Sequence, residues 1–92
     1  MIEVHFAPAL HRFFPVLTQG PLQVEGRTVS EVLSAVERAI PGLTDYILDE
    51  RGALRLHVNL FVGDEALVDR KGLSDRVPEG GRVHVLGALS GG

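Results

Sequence analysis

One segment near the middle of the chain has a strong helical pattern, and it constrains the fold more than any other feature. Thr28 and Glu31 have the spacing of a capping box, in which each side chain satisfies a backbone donor of the other. Pro41 and Gly42 then end the segment. The apolar residues between them fall on one helix face: Val29, Val32, Leu33, Val36 and Ile40. The sequence therefore predicts one amphipathic helix over residues 29–39, which must bury its apolar face against another layer.

Segments with strand-like alternation lie on both sides of this helix. Residues 2–6 and 82–86 alternate apolar and polar side chains, and residues 21–26 and 65–68 are predicted to form two further strands. Residues 56–62 give the strongest strand signal. We expect 21–26 to pair antiparallel with 2–6. A mixed sheet of about five strands with one helix across one face is a two-layer α+β domain.

The segment at residues 7–20 is broken by Pro8 and Pro15 but is too apolar for a free loop. We expect a helical turn or folded loop that places one or more of its apolar side chains against the core: Leu10, Phe13, Phe14 and Leu17. Residues 43–54 are predicted to be irregular or short-helical, and residues 71–77 to form a connector.

Composition limits the class of protein. The chain has 92 residues, which suffices for one domain, and its 45% hydrophobic content is ordinary for a globular protein. No apolar run approaches the length of a membrane span, and the N-terminal pattern is that of a strand, so we expect no signal peptide and a cytoplasmic location. The absence of cysteine excludes disulfides, cysteine-based metal sites and a thiol nucleophile. A net charge of −3 with scattered cations argues against nucleic-acid binding.

The chain ends in Gly91 and Gly92, and we expect residues 1–86 to form the domain and residues 87–92 a flexible tail. Glycine has no Cβ, so such a tail can thread a slot too narrow for other residues. Six extended residues reach roughly 20 Å from the folded body. Leu89 and Ser90 belong to this tail, and the α-carboxylate of Gly92 is its reactive group.

Strand alternation places two apolar side chains, Phe61 and Leu86, on the sheet face away from the helix. An exposed apolar pair with a polar rim is typical of a partner-binding surface, and this rim contains His57, Asn59, Arg82 and His84. We therefore predict a partner-binding surface made of Phe61, Leu86, Arg82 and His84. The alternative is that the segment at residues 7–20 partly covers this side of the sheet.

Three histidines, His5, His57 and His84, alternate with core residues on three predicted strands. A zinc site is one interpretation if these strands are neighbours; polar residues on a solvated face are the favoured one, and we predict no metal site. The acidic pair Asp64 and Glu65 falls on a turn and is interpreted as solvated.

The element order, the length and the terminal Gly91-Gly92 together resemble the ThiS/MoaD family of β-grasp, ubiquitin-like sulfur carriers. Residues 56–65 are similar to the family's central hairpin, in which a Val-Asn pair precedes an apolar strand and a polar turn. Residues 78–83 are similar to its turn into the last strand, with Gly81 where an acid is usual. The hairpin and the Leu-Ser-Gly-Gly ending most resemble the carriers that serve cysteine synthesis. Molybdopterin-synthase small subunits usually end in Phe-Pro-Pro-Val-x-Gly-Gly, and this chain departs from that pattern.

The resemblance implies a cycle of reactions at Gly92. A partner adenylyltransferase, similar to ubiquitin-activating enzymes, joins the carboxylate to AMP from ATP. A sulfur donor then displaces AMP and leaves a thiocarboxylate, which gives its sulfur to a biosynthetic enzyme that makes cysteine, thiamine, molybdopterin or another product. The chain itself would be a carrier that needs no cofactor, is not an enzyme, and is monomeric when alone. A ubiquitin-like modifier joined through Gly92 to lysines is the alternative, since both functions need the same activated tail; a plain binding module is a third.

Overall fold

The structure, a computed structural model, describes residues 1–87. In that part of the chain it contains two α-helices, α1 and α2, and two 3₁₀ helices. Five strands accompany them, numbered β1 to β5 in chain order. In order along the chain the elements are β1 (Ile2–Phe6), α1 (Pro8–His11), a 3₁₀ helix (Pro15–Gln19), β2 (Leu22–Val24), α2 (Val29–Ala39), a second 3₁₀ helix (Leu43–Tyr46), β3 (Asn59–Val62), β4 (Glu65–Ala66) and β5 (Arg82–Leu86). None of these helices has the length and apolar character needed to cross a bilayer.

The strands form one mixed sheet in the order β2-β1-β5-β3-β4. The last strand, β5, lies at the centre, parallel to β1 and antiparallel to β3. The edge pairs β1–β2 and β3–β4 are antiparallel. The predicted α+β architecture and the antiparallel pairing of the first two strands are confirmed. The central position of β5 means that the end of the last strand is held on both sides.

The core lies between α2 and one face of the sheet. The helix buries Val29, Val32, Leu33 and Val36, each at most 2% exposed. The sheet contributes side chains that alternate along its strands: Ile2, Val4, Val24, Leu60, Val83 and Val85. Because one helix covers one sheet face, the opposite face is left without a covering layer in the described part of the chain.

The ends of α2 lie where the sequence predicts them, but one hydrogen bond of the N-terminal cap has a different donor. The hydroxyl of Thr28 accepts a hydrogen bond from the N–H of Glu31, as a capping box requires. The carboxylate of Glu31 accepts the N–H of Arg27, one residue earlier than predicted. At the other end, Glu37 accepts the N–H groups of Gly42 and Thr44, which ties the following 3₁₀ helix to α2.

The segment at residues 7–20 is folded, as predicted. Leu10 and Leu17 are buried in the core, with 0% and 5% exposure. Phe14 is half-buried and meets the Tyr46 ring edge-on, whereas Phe13 stacks on Tyr46 and stays 53% exposed. The expectation that one or more of these side chains would join the core is confirmed: Leu10 and Leu17 lie in it and Phe14 packs against it, whereas Phe13 stays outside.

Three predicted strands are too long. The second strand, predicted over residues 21–26, spans only Leu22–Val24. Residues 56–58 do not belong to β3: Arg70 donates to the carbonyls of Arg55 and Val58 and holds residues 55–58 as a turn. The fourth strand ends at Ala66, because the Asp75 carboxylate accepts the N–H groups of residues 68 and 69 and draws that backbone away from β3. At residues 55–58 and at residues 68–69, a side chain from residues 70–75 supplies the hydrogen-bond partner that a neighbouring strand would otherwise have supplied.

Candidate functional site

The sheet face opposite α2, called here the open face, carries the predicted partner-binding residues. It is defined by the side chains that alternate with the buried ones along each strand: Glu3, His5, Gln23, Asn59, Phe61, Ala66, Arg82, His84 and Leu86. The four residues predicted from sequence, Phe61, Arg82, His84 and Leu86, therefore share one surface. Their role in binding stays a prediction.

A row of side chains crosses the middle of the open face. His5 on β1 is in register with His84 on β5, His84 with Phe61 on β3, and Phe61 with Ala66 on β4. The two imidazole rings are stacked, with their centroids 4.8 Å apart and an interplanar angle of 21°. Register across four strands thus places two imidazole rings and one phenyl ring in a row on the sheet.

The polar end of the open face is built around Glu3. Its Oε1 accepts a hydrogen bond from Nε2 of His5 at 2.8 Å and lies 3.4 Å from Nε of Arg82. The hydrogen bond from His5, followed by the positive charge of Arg82, lowers the pKa of Glu3 below its ordinary value. Glu3 is therefore an anion at neutral pH, and it orients both the first histidine and the Arg82 guanidinium.

The apolar end of the open face consists of Phe61 and Leu86. Phe61 is half-buried and Leu86 is 45% exposed. Leu86 is in register with Asn59, so it lies diagonally from Phe61 across the β3–β5 pair, within the reach of large side chains. Leu86 is also the last residue of β5, so this apolar pair adjoins the point where the chain leaves the sheet.

The segment at residues 7–20 leaves this apolar end open. Leu10 and Leu17 enter the core, Phe13 and Phe14 contact Tyr46, and Val16 stays 50% exposed. A cleft of about 220 Å³ is lined by residues of this segment and of β1. Leu86 remains 45% exposed, so this segment does not cover the apolar end of the open face. The cleft is also lined by His5, which places the segment beside the β1 side of that face.

The three histidines are only partly brought together. His5 and His84 are in contact, whereas His57 lies in the turn before β3, beyond the end of the β3–β5 pairing. Within residues 1–87, no three side chains of the metal-binding types come close enough to hold a metal ion. The structure therefore supports a stacked histidine pair on the open face and no histidine triad.

The backbone at the end of β5 was not singled out by the sequence analysis. Gly87, directly after the strand, has a φ of +69°, and a Cβ placed on it would lie 2.9 Å from the carbonyl oxygen of His57. The sequence does show a glycine directly after the alternating residues 82–86. Such a glycine is usually interpreted as the start of a linker and not as a restricted backbone position. The predicted tail residues Leu89, Ser90, Gly91 and Gly92 lie outside the described residues.

No protein-family model matches the chain. Among curated proteins, it is 30% identical over 76 residues to the sulfur carrier protein CysO of Mycobacterium bovis and of Mycobacterium tuberculosis. The match covers 80% of this chain and 82% of each relative.

Solved structures of CysO are also similar to this chain, over nearly its whole length. The crystal structure of Mycobacterium tuberculosis CysO aligns with a TM-score of 0.82 at 25% identity, covering 97% of this chain and all of that one. The crystal structure of the Amycolatopsis orientalis BexX/CysO complex aligns with a TM-score of 0.80 at 26% identity, covering both chains completely. SAMP1 of Haloferax volcanii aligns with a TM-score of 0.71 at 23% identity, covering 99% of this chain and 98% of that one, a likeness of fold alone. The predicted β-grasp fold is confirmed.

Proposed function

The chain belongs to the ThiS/MoaD-like family of β-grasp sulfur carriers, close to CysO, and from this premise we propose that its Gly92 carboxylate is the group that carries sulfur. The observation that carries the proposal is the similarity to CysO, which extends over four fifths of both chains. The Gly-Gly ending supports it, because the carboxylate of such an ending has no side chain beside it to hinder attack.

Activation of the carboxylate is the first proposed step. A carboxylate is a poor electrophile, so it needs a good leaving group before a sulfur nucleophile can react with it. One carboxylate oxygen of Gly92 attacks the α-phosphorus of ATP on a partner adenylyltransferase, and pyrophosphate leaves. The product is an acyl-adenylate, in which AMP is the leaving group.

Sulfur transfer is the second proposed step. A donor at the oxidation level of hydrosulfide attacks the acyl carbon, a carbon–sulfur bond forms, and the carbon–oxygen bond to AMP breaks with its electron pair on AMP. The resulting thiocarboxylate is the nucleophile that an acceptor enzyme would use. By the similarity to CysO, we propose that the acceptor takes part in making cysteine.

The fold contributes position and binding energy to these steps. Holding the acyl group on a folded domain makes sulfur transfer a nearly unimolecular reaction on the partner. The open face supplies binding energy remote from the reacting carbon, and the partner supplies the catalytic side chains. The structure of the Amycolatopsis orientalis protein is that of a complex with BexX. A partner docked on the open face of this chain is the corresponding proposal.

The test is the intact mass of the protein purified from its own cells, followed by fragmentation of its C-terminus. The account expects a fraction in which one oxygen of the Gly92 carboxyl group is replaced by sulfur. Gly-Gly remnants in isopeptide linkage to lysines of other proteins, without any thiocarboxylate, would instead establish a protein modifier. A C-terminus that carries neither change under sulfur-replete growth would contradict both.

A further inference from the structure

Gly87 is held in a conformation and a contact that only glycine can satisfy. Its φ of +69° lies in the left-handed region, which side chains disfavour. A Cβ at this position would lie 2.9 Å from the carbonyl oxygen of His57, closer than Cβ atoms come to a backbone oxygen. The chain therefore leaves β5 through a position that is restricted both by its own torsion and by a neighbouring backbone.

The His57 carbonyl belongs to a turn that is tied down on several sides. The N–H of Val58 donates to the carbonyl of Arg55 at 3.0 Å. The Arg70 guanidinium donates to the carbonyls of Arg55 and Val58 at 2.6 and 2.9 Å. The Arg55 guanidinium in turn donates twice to the carbonyl of Asp45, at 3.2 and 3.0 Å. Because this backbone is fixed, a side chain at position 87 would have to move instead.

This combination occurs at Gly87 alone among the described glycines of positive φ. At Gly80, which has a similar φ of +77°, an added Cβ would have no atom within 4 Å. The same holds for the other four: Gly20, Gly42, Gly52 and Gly63. Gly80 precedes β5 and Gly87 follows it. The two glycines have similar φ angles, but only Gly87 has a backbone atom close to the position of an added Cβ.

We propose that Gly87 and the His57 carbonyl form a fixed exit that sets the direction of the chain beyond β5, and that Gly87 is a positioning residue for the reaction at Gly92. This inference rests on the proposed function. Gly92 is only five residues beyond Gly87, a reach of about 17 Å at full extension. A tether brings its end group to a site only when its length matches the distance to be spanned, so for a tether this short the point and direction of departure determine which sites it can reach. When the domain is docked on its partner, the direction of the chain at Gly87 determines whether the Gly92 carboxylate reaches ATP.

The test compares four variants in ATP–pyrophosphate exchange with the adenylyltransferase of the same organism: Gly87→Ala, Gly87→Asn, Gly80→Ala and Gly80→Asn. Ala is strained in the left-handed region, so both Ala variants should lose a few degrees of melting temperature. Asn tolerates the left-handed region but still carries a Cβ, so it tests the contact with the His57 carbonyl separately from the torsion. Only the two position-87 variants should lose kcat, by about 10- to 100-fold, because misplacement of a reacting group by about 1 Å has an effect of that size. The KM for the carrier should stay unchanged, since the open face is untouched.

Three results would overturn the inference. A kcat for Gly87→Ala equal to that of Gly80→Ala would remove the positioning role, and a higher KM with unchanged kcat would make Gly87 a docking contact. Recovery of kcat in Gly87→Asn would assign the effect to the torsion and not to the His57 carbonyl. Failure of the wild-type chain to support exchange would instead count against the proposed function, so the two failures are distinguishable. The melting temperature of each variant shows whether the fold survives the substitution at position 87, which no described strand or helix follows.

Discussion

His5 and His84 stack their imidazole rings at a centroid distance of 4.8 Å across the parallel pair formed by the first and the last strand. The contact joins the two ends of the described chain at the centre of the sheet. Glu3 fixes one ring by a hydrogen bond, and Leu86 lies two residues beyond the other ring. β5 carries three residues of the open face, Arg82, His84 and Leu86, and ends one residue before Gly87. Under the proposed function, this strand links the docking surface to the segment that bears the carboxylate.

Phe61→Ala should weaken docking on the adenylyltransferase. An aromatic anchor buried at an interface contributes about 1.5–3 kcal/mol, which corresponds to a 10- to 100-fold rise in KM for the carrier. Phe61 is half-buried and lies outside the buried core, so the fold should change little. The measurement is KM in ATP–pyrophosphate exchange, with circular dichroism as the check on folding.

Phe13→Ala is the matched comparison, because Phe13 is an exposed aromatic residue on the segment at 7–20. It should leave KM unchanged. The reverse pattern, in which Phe13→Ala raises KM and Phe61→Ala does not, would move the docking surface to that segment. A collapsed fold in Phe61→Ala would show that its side chain supports the core.

Val36→Asp should destabilise the domain severely. Val36 is 0% exposed between α2 and the sheet, and an unpaired buried carboxylate costs several kcal/mol, a large share of the stability of a domain of this size. Ser34→Asp, at an exposed position of the same helix, should have little effect. Thermal melting followed by circular dichroism compares them. Equal melting temperatures for the two variants would mean that α2 does not bury the face described above.

Stability should depend on the ionisation of Asp69 in acid. Its carboxylate accepts the Ser74 hydroxyl at 2.6 Å and the N–H of Gly72 at 2.8 Å, and these bonds lower its pKa from 3.8 to about 2. A folded-state pKa below the unfolded value gives a stabilising contribution that is fully present above about pH 4 and is lost as pH falls through about 2. The melting temperature should therefore fall in that window.

Asp69→Asn should flatten this part of the pH profile, because the amide does not titrate. Asp64→Asn is the control, since Asp64 accepts no hydrogen bond within the described part of the chain. It should keep the wild-type slope. An unchanged slope in Asp69→Asn would mean that other carboxylates carry the acid dependence.

The helix and the core could be predicted from the sequence because the signals were local. The cap at Thr28, the apolar stripe and the stop at Pro41 all lie within a few turns, and α2 has the predicted bounds. Alternation likewise predicted β1 and β5 and the sharing of one face by Phe61 and Leu86. The spacing of apolar residues within a helix or strand is enough to predict which of its faces is buried.

The ends of β3 and β4 and the exit at Gly87 could not be predicted in this way. Arg70 redirects the backbone at residues 55–58, and Asp75 redirects it at residues 68 and 69, through hydrogen bonds that no periodic pattern encodes. The backbone that restricts Gly87 is the carbonyl of His57, which lies in that redirected turn. The stacking of His5 on His84 also depended on the parallel register of strands from opposite ends of the chain.

The most direct measurement of the central claim is thiocarboxylate formation by the chain with and without its last two residues. The full-length protein and a variant lacking Gly91 and Gly92 are incubated with ATP, a sulfide donor and the adenylyltransferase, and each product is weighed by mass spectrometry. Both proteins should melt at nearly the same temperature, because the core described above contains no residue beyond Val85. The account predicts an oxygen-to-sulfur exchange at Gly92 in the full-length protein and none in the truncated one. A truncated protein that still accepts sulfur at its C-terminus, or a full-length protein that accepts none, would contradict it.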